Sequence, residues 1–391
     1  MMSNDGQITQ KQHYIPCCVL KHFKESYDVF NKKHKRIFHI LHNRNKVYPS
    51  TINDVMCADF FYENGEIPIN LIENWLKDFE AVYSRMHGQV EKLIREYEEG
   101  NIKLNAVKEH AFNLVEAMIR MHLRSGAIMY ELKYWREKNR PDYSLYRMLE
   151  RLLQRNYTYE FANTLIKYHE FCILKSNDKD FVISDQFIVT ASLSFKARFV
   201  NATNRTVGLK DVIILLPLSR SYYLCFYNGN NPSYIRANQL KKLTEEQTKE
   251  VNIVIMNNSY IQTAGPSFET LSKLVDFYDD KGPTAIYYGG GKTNSGVGLR
   301  KEVFYYQKDK LIYDFIVSVV DIRRFNNVSK NELCPCGSGA SFGKCCRYKV
   351  REFDKFMNRV KLESENRQIN LYGLPHCNFH EKNIFEYHTR N

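Results

Sequence analysis

Residues 69–100 read INLIENWLKDFEAVYSRMHGQVEKLIREYEEG, and the spacing of their apolar side chains decides the fold class. Leu71, Trp75, Phe79, Val82, Met86, Val90 and Ile94 recur at threes and fours, the period of a single helix face. Gly100 stands where a helix C-cap glycine belongs. Beyond it, a second helical pattern runs from about Asn105 to Asn139 through Phe112, Val115, Ile119, Leu123 and Ile128, and Pro141 ends it. Tyr143 to Leu174 offers one or two more. Each segment carries a wide apolar stripe opposite a charged face, so they are expected to pack as a bundle.

At Asp180 the period changes. FVISDQFIVT (181–190), VIILLPLSRSYYLCFY (212–227) and VNIVIMNNSYIQTA (251–264) are rich in β-branched and aromatic residues separated by turn residues. The last of these also reads as a helix leading into a short strand. The expected class is therefore α+β, a helical bundle packed on a small, largely antiparallel sheet. Toward the N-terminus, KQHYIPCCVLKHF (11–23) places Pro16 at the first turn of a short helix with Val19, Leu20 and Phe23 on one face. Tyr27–Phe30 and Arg36–Leu41 read as a hairpin around the basic turn Asn31–Lys35. Its lysines fit either a solvated sheet edge or an arm that meets phosphates.

Residues 280–300, DKGPTAIYYGGGKTNSGVGLR, are glycine-rich and mark the internal boundary of the chain. GGGKT within them is not a phosphate loop, because Ile286 occupies the position that needs the first glycine. The expected organisation is a core over 1–279, a linker over 280–300, a connecting helix over 301–328 and a cysteine-bearing module over 329–391. That last part includes a basic amphipathic helix, VREFDKFMNRVKLESENR. His376, Cys377 and His380 follow it in a tail that lacks a fourth ligand at metal-site spacing.

With 56 Lys and Arg against 44 Asp and Glu, the formal charge is +12, which attracts polyanions. Six of the ten cysteines are scattered without a disulfide framework. No stretch offers the ~18 apolar residues of a membrane span, and the first residues contain no apolar signal core. A cytoplasmic protein is the expectation, since free thiolates need a reducing compartment.

The remaining four cysteines lie together in CPCGSGASFGKCC, Cys334 to Cys346. A CxC pair on a glycine turn and an adjacent CC pair beyond an eight-residue loop supply the four soft ligands that zinc takes as a tetrahedron. So short a loop buries too little to fold alone, which makes the metal structural. These residues resemble the SEC-C motif, the zinc module at the end of the secretion ATPase SecA and of many bacterial proteins. The resemblance implies Cys334, Cys336, Cys345 and Cys346 as ligands. It departs at Ala340 and Ser341, where the family has lysines, and Phe342 keeps the usual aromatic. In SecA the module meets an acidic chaperone and the ribosome, so an RNA, ribosome or acidic protein partner is implied.

The opening His13-Tyr14-Ile15-Pro16 resembles a second family, the bacterial domain-of-unknown-function family 4238, over about residues 11–265. Glu80 in the first long helix, Arg124 before a small residue, Asp185 in VISDQF, and Pro217-Leu218-Ser219 match further landmarks in order. Where the family often has Asp-x-Pro, this chain has Asp185, Gln186 and Phe187. His13, Glu80, Arg124 and Asp185 are the residue types of a phosphodiester-cleaving site: a proton-transfer group, carboxylates and a cation. The same four also fit structural roles, with His13 bonded to backbone beside Pro16, Glu80 and Arg124 as an inter-helix pair, and Asp185 as a turn cap. Two functions therefore stand open: a zinc-bearing docking protein for a polyanionic partner, or a nuclease-like toxin or defence enzyme.

Overall fold

The computed structural model describes residues 9–25, 35–42, 44–63, 67–126, 143–153, 155–177, 180–195, 211–279, 284–288, 296–300, 303–318 and 322–365. Among them the chain is α+β, with helices α2 (Leu71–Glu98), α3 (Leu104–Leu123), α4 (Tyr143–Leu153) and α5 (Arg155–Tyr168) following the short α1 (Cys17–Leu20). Gly100, at φ +79°, lets the chain reverse between α2 and α3, which pack along one another. No described helix is long and apolar enough to cross a membrane.

Ile72, Leu76, Tyr83, His87, Val90 and Ile94 form the buried face of α2. The apolar spacing of the sequence predicts a stripe displaced from this one, and Leu71 and Val82, which it includes, are exposed. Two polar-typed residues, Tyr83 and His87, occupy core positions and turn the helix about its axis. The second helix ends at Leu123, earlier than the predicted Asn139, and residues 127–142 lie outside the described ones.

Two main sheets replace the single small one. The larger contains β5 (Glu170–Lys175), β7 (Val189–Ser192), β8 (Val212–Pro217), β9 (Tyr222–Asn228) and β10 (Leu240–Lys242) in the order β10-β5-β9-β8-β7. Only its β10–β5 pair is parallel. Every residue of β8 is buried, as an apolar run covered on both faces requires. The second sheet has the order β3-β2-β11-β6 and is antiparallel throughout, from β2 (Arg36–Leu41), β3 (Lys46–Thr51), β6 (Ile183–Ser184) and β11 (Gln262–Gly265). A separate ladder joins β1 (Lys11–His13) to β4 (Cys57–Asp59).

Arg36–Leu41 is thus a strand. Lys46–Thr51 pairs with it along its whole length on one side, and Gln262–Gly265 pairs with Phe38–Leu41 on the other. The other arm of the expected hairpin, Tyr27–Phe30, and most of its turn, Asn31–His34, lie outside the described residues.

VNIVIMNNSYIQTA resolves as α6 (Glu245–Asn258) leading into β11. Thr244 and Gln247 form a capping box at its start. Two buried asparagines stitch α6 to the sheets. Asn252 accepts from the Val182 amide at 3.1 Å and donates to the Asp180 carbonyl at 2.9 Å, and Asn258 pairs in the same way with Thr190 at 3.2 and 3.0 Å. After the five-residue α7 (Phe268–Ser272), the glycine-rich stretch holds an antiparallel pair, β12 (Thr284–Tyr288) and β13 (Gly296–Arg300). GGGKT lies outside the described residues.

The chain then returns to the larger sheet. Ser192 donates to Val303 at 2.9 Å and accepts from Tyr305 at 2.9 Å, and the Tyr305 and Tyr234 hydroxyls meet. From there α8 (Gln307–Ser318) and a 3-10 turn at Ile322–Phe325 lead to the cysteine loop, and α9 (Arg347–Glu365) follows it. The tail with His376, Cys377 and His380 is outside the described residues.

Candidate metal centre

The cysteine loop is built by its own backbone before any side chain meets. The Cys334 amide donates to the Ala340 carbonyl at 2.8 Å, Phe342 to Glu332 at 2.7 Å and Gly343 to Lys330 at 2.8 Å, which folds 330–343 into a tight knuckle. Gly337 (φ +81°) and Gly339 (φ +75°) adopt the left-handed conformation this turn needs. Gly343 is required for another reason. A Cβ there would lie 2.7 Å from the Lys330 carbonyl oxygen.

This frame brings Cys334, Cys336, Cys345 and Cys346 together, with all four sulfurs within 4.8 Å of one another. The Cys336–Cys345 and Cys345–Cys346 sulfur separations are 3.5 and 3.7 Å. Zinc–sulfur bonds of about 2.3 Å in a tetrahedron place sulfurs roughly 3.8 Å apart, so the four thiols fit one ion of that kind. The Ser338 hydroxyl, 3.2 Å from the Cys345 sulfur, can donate to a thiolate there. It also draws the Cys336 thiol down to about 6, favouring the ligating form. When bound, the ion crosslinks the two cysteine pairs; the protein supplies a closed set of four thiolates and leaves no ligand position for a reacting water.

Beneath the loop sits a small apolar core of Phe315, Phe325, Phe342, Val350 and the buried Cys334 and Cys346. Phe325 packs against Phe315 at 5.4 Å and Phe342 at 6.1 Å between ring centroids. Arg324 donates to the Pro335 carbonyl at 3.0 Å. The contributions of Ser338, Phe315 and Arg324 escape a search for metal ligands, because each acts through packing or a hydrogen bond rather than through a sulfur.

Among the four core candidates, Arg124 is the organiser. Its side chain is 1% exposed, and Nη1 donates to Glu80 at 2.7 Å, Nη2 to the His13 carbonyl at 2.7 Å and Nε to the Tyr62 hydroxyl at 3.1 Å. Tyr62 in turn donates to the same His13 carbonyl at 3.1 Å. The His13 ring lies on the Ile52 carbonyl at 3.1 Å, with the Cys17 sulfur 3.5 Å away. His13, Glu80 and Arg124 are therefore brought together, though Arg124 meets His13 through its main chain. Burial pushes the Cys17 thiol up to about 11 and Cys18 up to about 12, so neither is a ready thiolate.

Asp185 is engaged elsewhere. Its fully buried carboxylate accepts from three successive amides, Tyr260 at 3.0 Å, Ile261 at 2.7 Å and Gln262 at 2.9 Å. Gln262 also meets the Tyr14 hydroxyl, which links this turn back to the His13-Tyr14 segment. Replacing Asp185 by Ala should leave three amides, that of Gln262 buried, without this acceptor and cost about 1–3 kcal/mol, read as a shift of the urea midpoint.

Residues 11–264 match the family model described as protein of unknown function (DUF4238), and residues 331–347 match the SEC-C motif. No curated protein and no solved structure matches the chain. The first match spans His13, Glu80, Arg124 and Asp185, and the second spans the knuckle that gathers the four thiols. The chain belongs to the DUF4238 family and carries a SEC-C motif after its family domain.

Proposed function

We propose that the chain is a cytosolic docking protein whose SEC-C module, held by a structural zinc ion, attaches it to a polyanion of the RNA or ribosome class. The observation that carries this reading is the face around the four converging thiols. Within that module Leu333 and Tyr348 are 73% and 55% exposed, and Lys330, Lys344 and Arg347 are exposed as well. Residues 322–355 hold eight basic and three acidic side chains. Four thiolates and a divalent ion carry a net charge of −2, so this surplus leaves the module positive overall. An exposed aromatic among cations is a stacking platform for unpaired bases.

The nuclease-like reading through His13, Glu80, Arg124 and Asp185 stands second. It needs a cation available to a developing phosphate charge, and Arg124 already spends Nε, Nη1 and Nη2 on internal partners.

Filter binding of the full chain to single-stranded RNA across a salt series tests the docking reading. Binding should weaken steeply with salt. If Lys344 and Arg347 each meet a phosphate, Lys344→Gln with Arg347→Gln should flatten the log–log slope by about 1.4. An absence of binding even at low salt, with an acidic polypeptide captured instead, would replace RNA by a protein partner. Failure to bind either would end the docking reading.

A further inference from the structure

His22, His87 and Glu91 come together far from the cysteine module in sequence. His22 follows α1, while His87 and Glu91 lie one turn apart on α2 and share a face. The third wall is the turn after β8. Its Arg220 amide donates to the His22 carbonyl at 2.9 Å, and its Leu218 carbonyl receives the His87 ring at 2.7 Å from Nε2.

That last bond settles the His87 tautomer. A carbonyl only accepts, so Nε2 carries the proton and the neutral ring presents the lone pair of Nδ1. Nδ1 points to the Glu91 carboxylate, 3.7 Å away. The His22 ring stacks on His87 with centroids 3.8 Å apart, and its Nε2 is buried with no hydrogen-bond partner. Imidazole and carboxylate ligand atoms from the three residues lie within 4.8 Å of one another. With His87 neutral, two acceptors face each other in a mostly buried place, next to a nitrogen with no hydrogen-bond partner among the described residues. The Tyr83 hydroxyl, one turn before His87, is likewise buried without a partner.

Such an arrangement lacks a cation. A proton on His87 Nδ1 would pair it with Glu91 but leave the buried His22 Nε2 without a partner, whereas one shared cation would serve all three groups. Neutral imidazoles of this kind are metal ligands, and a ring that donates its other N–H to a backbone carbonyl is the usual way a ligating histidine is oriented.

We propose that His22, His87 and Glu91 form a divalent metal site, separate from the cysteine module, that takes a transition ion of the zinc, cobalt or iron(II) class. Two imidazoles and one carboxylate suit these ions. Three protein ligands leave at least one coordination position for water or an incoming oxygen ligand. Glu91, with a side chain 26% exposed, gives the ion its route to solvent. Leu218 belongs to the Pro217-Leu218-Ser219 segment, whose carbonyl thereby acquires a role as the support of a ligand.

The test uses the full chain with Cys336→Ser and Cys346→Ser, stripped of metal, reloaded with Co²⁺ and desalted. It should retain about one equivalent of cobalt, with visible ligand-field bands and no thiolate-to-cobalt charge transfer. Adding His22→Gln or Glu91→Gln should weaken cobalt affinity by at least about tenfold to a hundredfold. Near-ultraviolet circular dichroism checks that each variant is folded. Should His22→Gln disturb packing, the partly exposed Glu91→Gln decides. The chain with all cysteines present gives an independent reading, about two equivalents, one of each spectral type. No retained cobalt in the cysteine variant, or affinity unchanged by both substitutions, would overturn the site.

Discussion

Replacing Cys336 by Ser should abolish metal binding at the four thiols and unfold the segment from about residue 329 to the end of α9, while the DUF4238 body stays intact. The size of the effect follows from how little else holds the knuckle. Its apolar core consists of Phe315, Phe325, Phe342 and Val350 with two of the ligands themselves. Structural zinc in isolated modules of comparable size supplies apparent binding energies of about 10–16 kcal/mol, nearly all of it folding energy. Limited proteolysis should therefore cut the variant in the cysteine loop and α9, and near Phe315 and Phe325, which lose their partners. The main thermal transition should hardly move. If the whole chain instead unfolded cooperatively at a much lower temperature, the module would be an integral part of the core.

Arg124→Met should be the most costly single change within the body, at about 3–5 kcal/mol. Removing one member of a buried ion pair leaves the other uncompensated. Besides Glu80 on α2, two further acceptors lose their donor: the His13 carbonyl in β1 and the Tyr62 hydroxyl in the segment after β4. Glu80→Gln should cost less, because its amide oxygen can still accept from Nη1 and the Glu80 side chain is 24% exposed. Denaturant unfolding of both single variants and the double variant would give the coupling between them. An Arg124→Met cost under about 1 kcal/mol would show that the network is peripheral to stability.

Local regularities made part of this architecture legible. The four cysteines declare themselves because a metal site fixes spacing and residue type at once, and the structure gathers those same four. The change from helical to strand period is likewise a short-range property, but it comes earlier than Asp180: Glu170–Lys175, inside the stretch read as helix, is already strand β5, because its apolar run Phe171–Leu174 is buried in the larger sheet. What failed to show depends on partners distant in sequence. Lys46–Thr51, KVYPST, does not read as a strand because Pro49 interrupts it, yet β3 is an edge strand, where a missing N–H is tolerated. The buried face of α2 was hidden because Tyr83 and His87 are polar by type and core by position.

The core candidates show the same limit. His13, Glu80 and Arg124 meet, but the key acceptor is the main-chain carbonyl of His13, which residue types cannot reveal. Asp185 is occupied by three amides from the turn before β11, some 75 residues away. The His22–His87–Glu91 group carries only a weak sequence signal. His87 and Glu91 have i, i+4 spacing, but His22 reaches them solely through the fold.

Zinc-edge X-ray absorption on the full chain loaded with a single equivalent of zinc reads the ligand set itself. Four sulfurs at about 2.3 Å are expected around the ion. A shell made only of nitrogen and oxygen, or a chain that retains no zinc after desalting, would contradict a four-thiolate site.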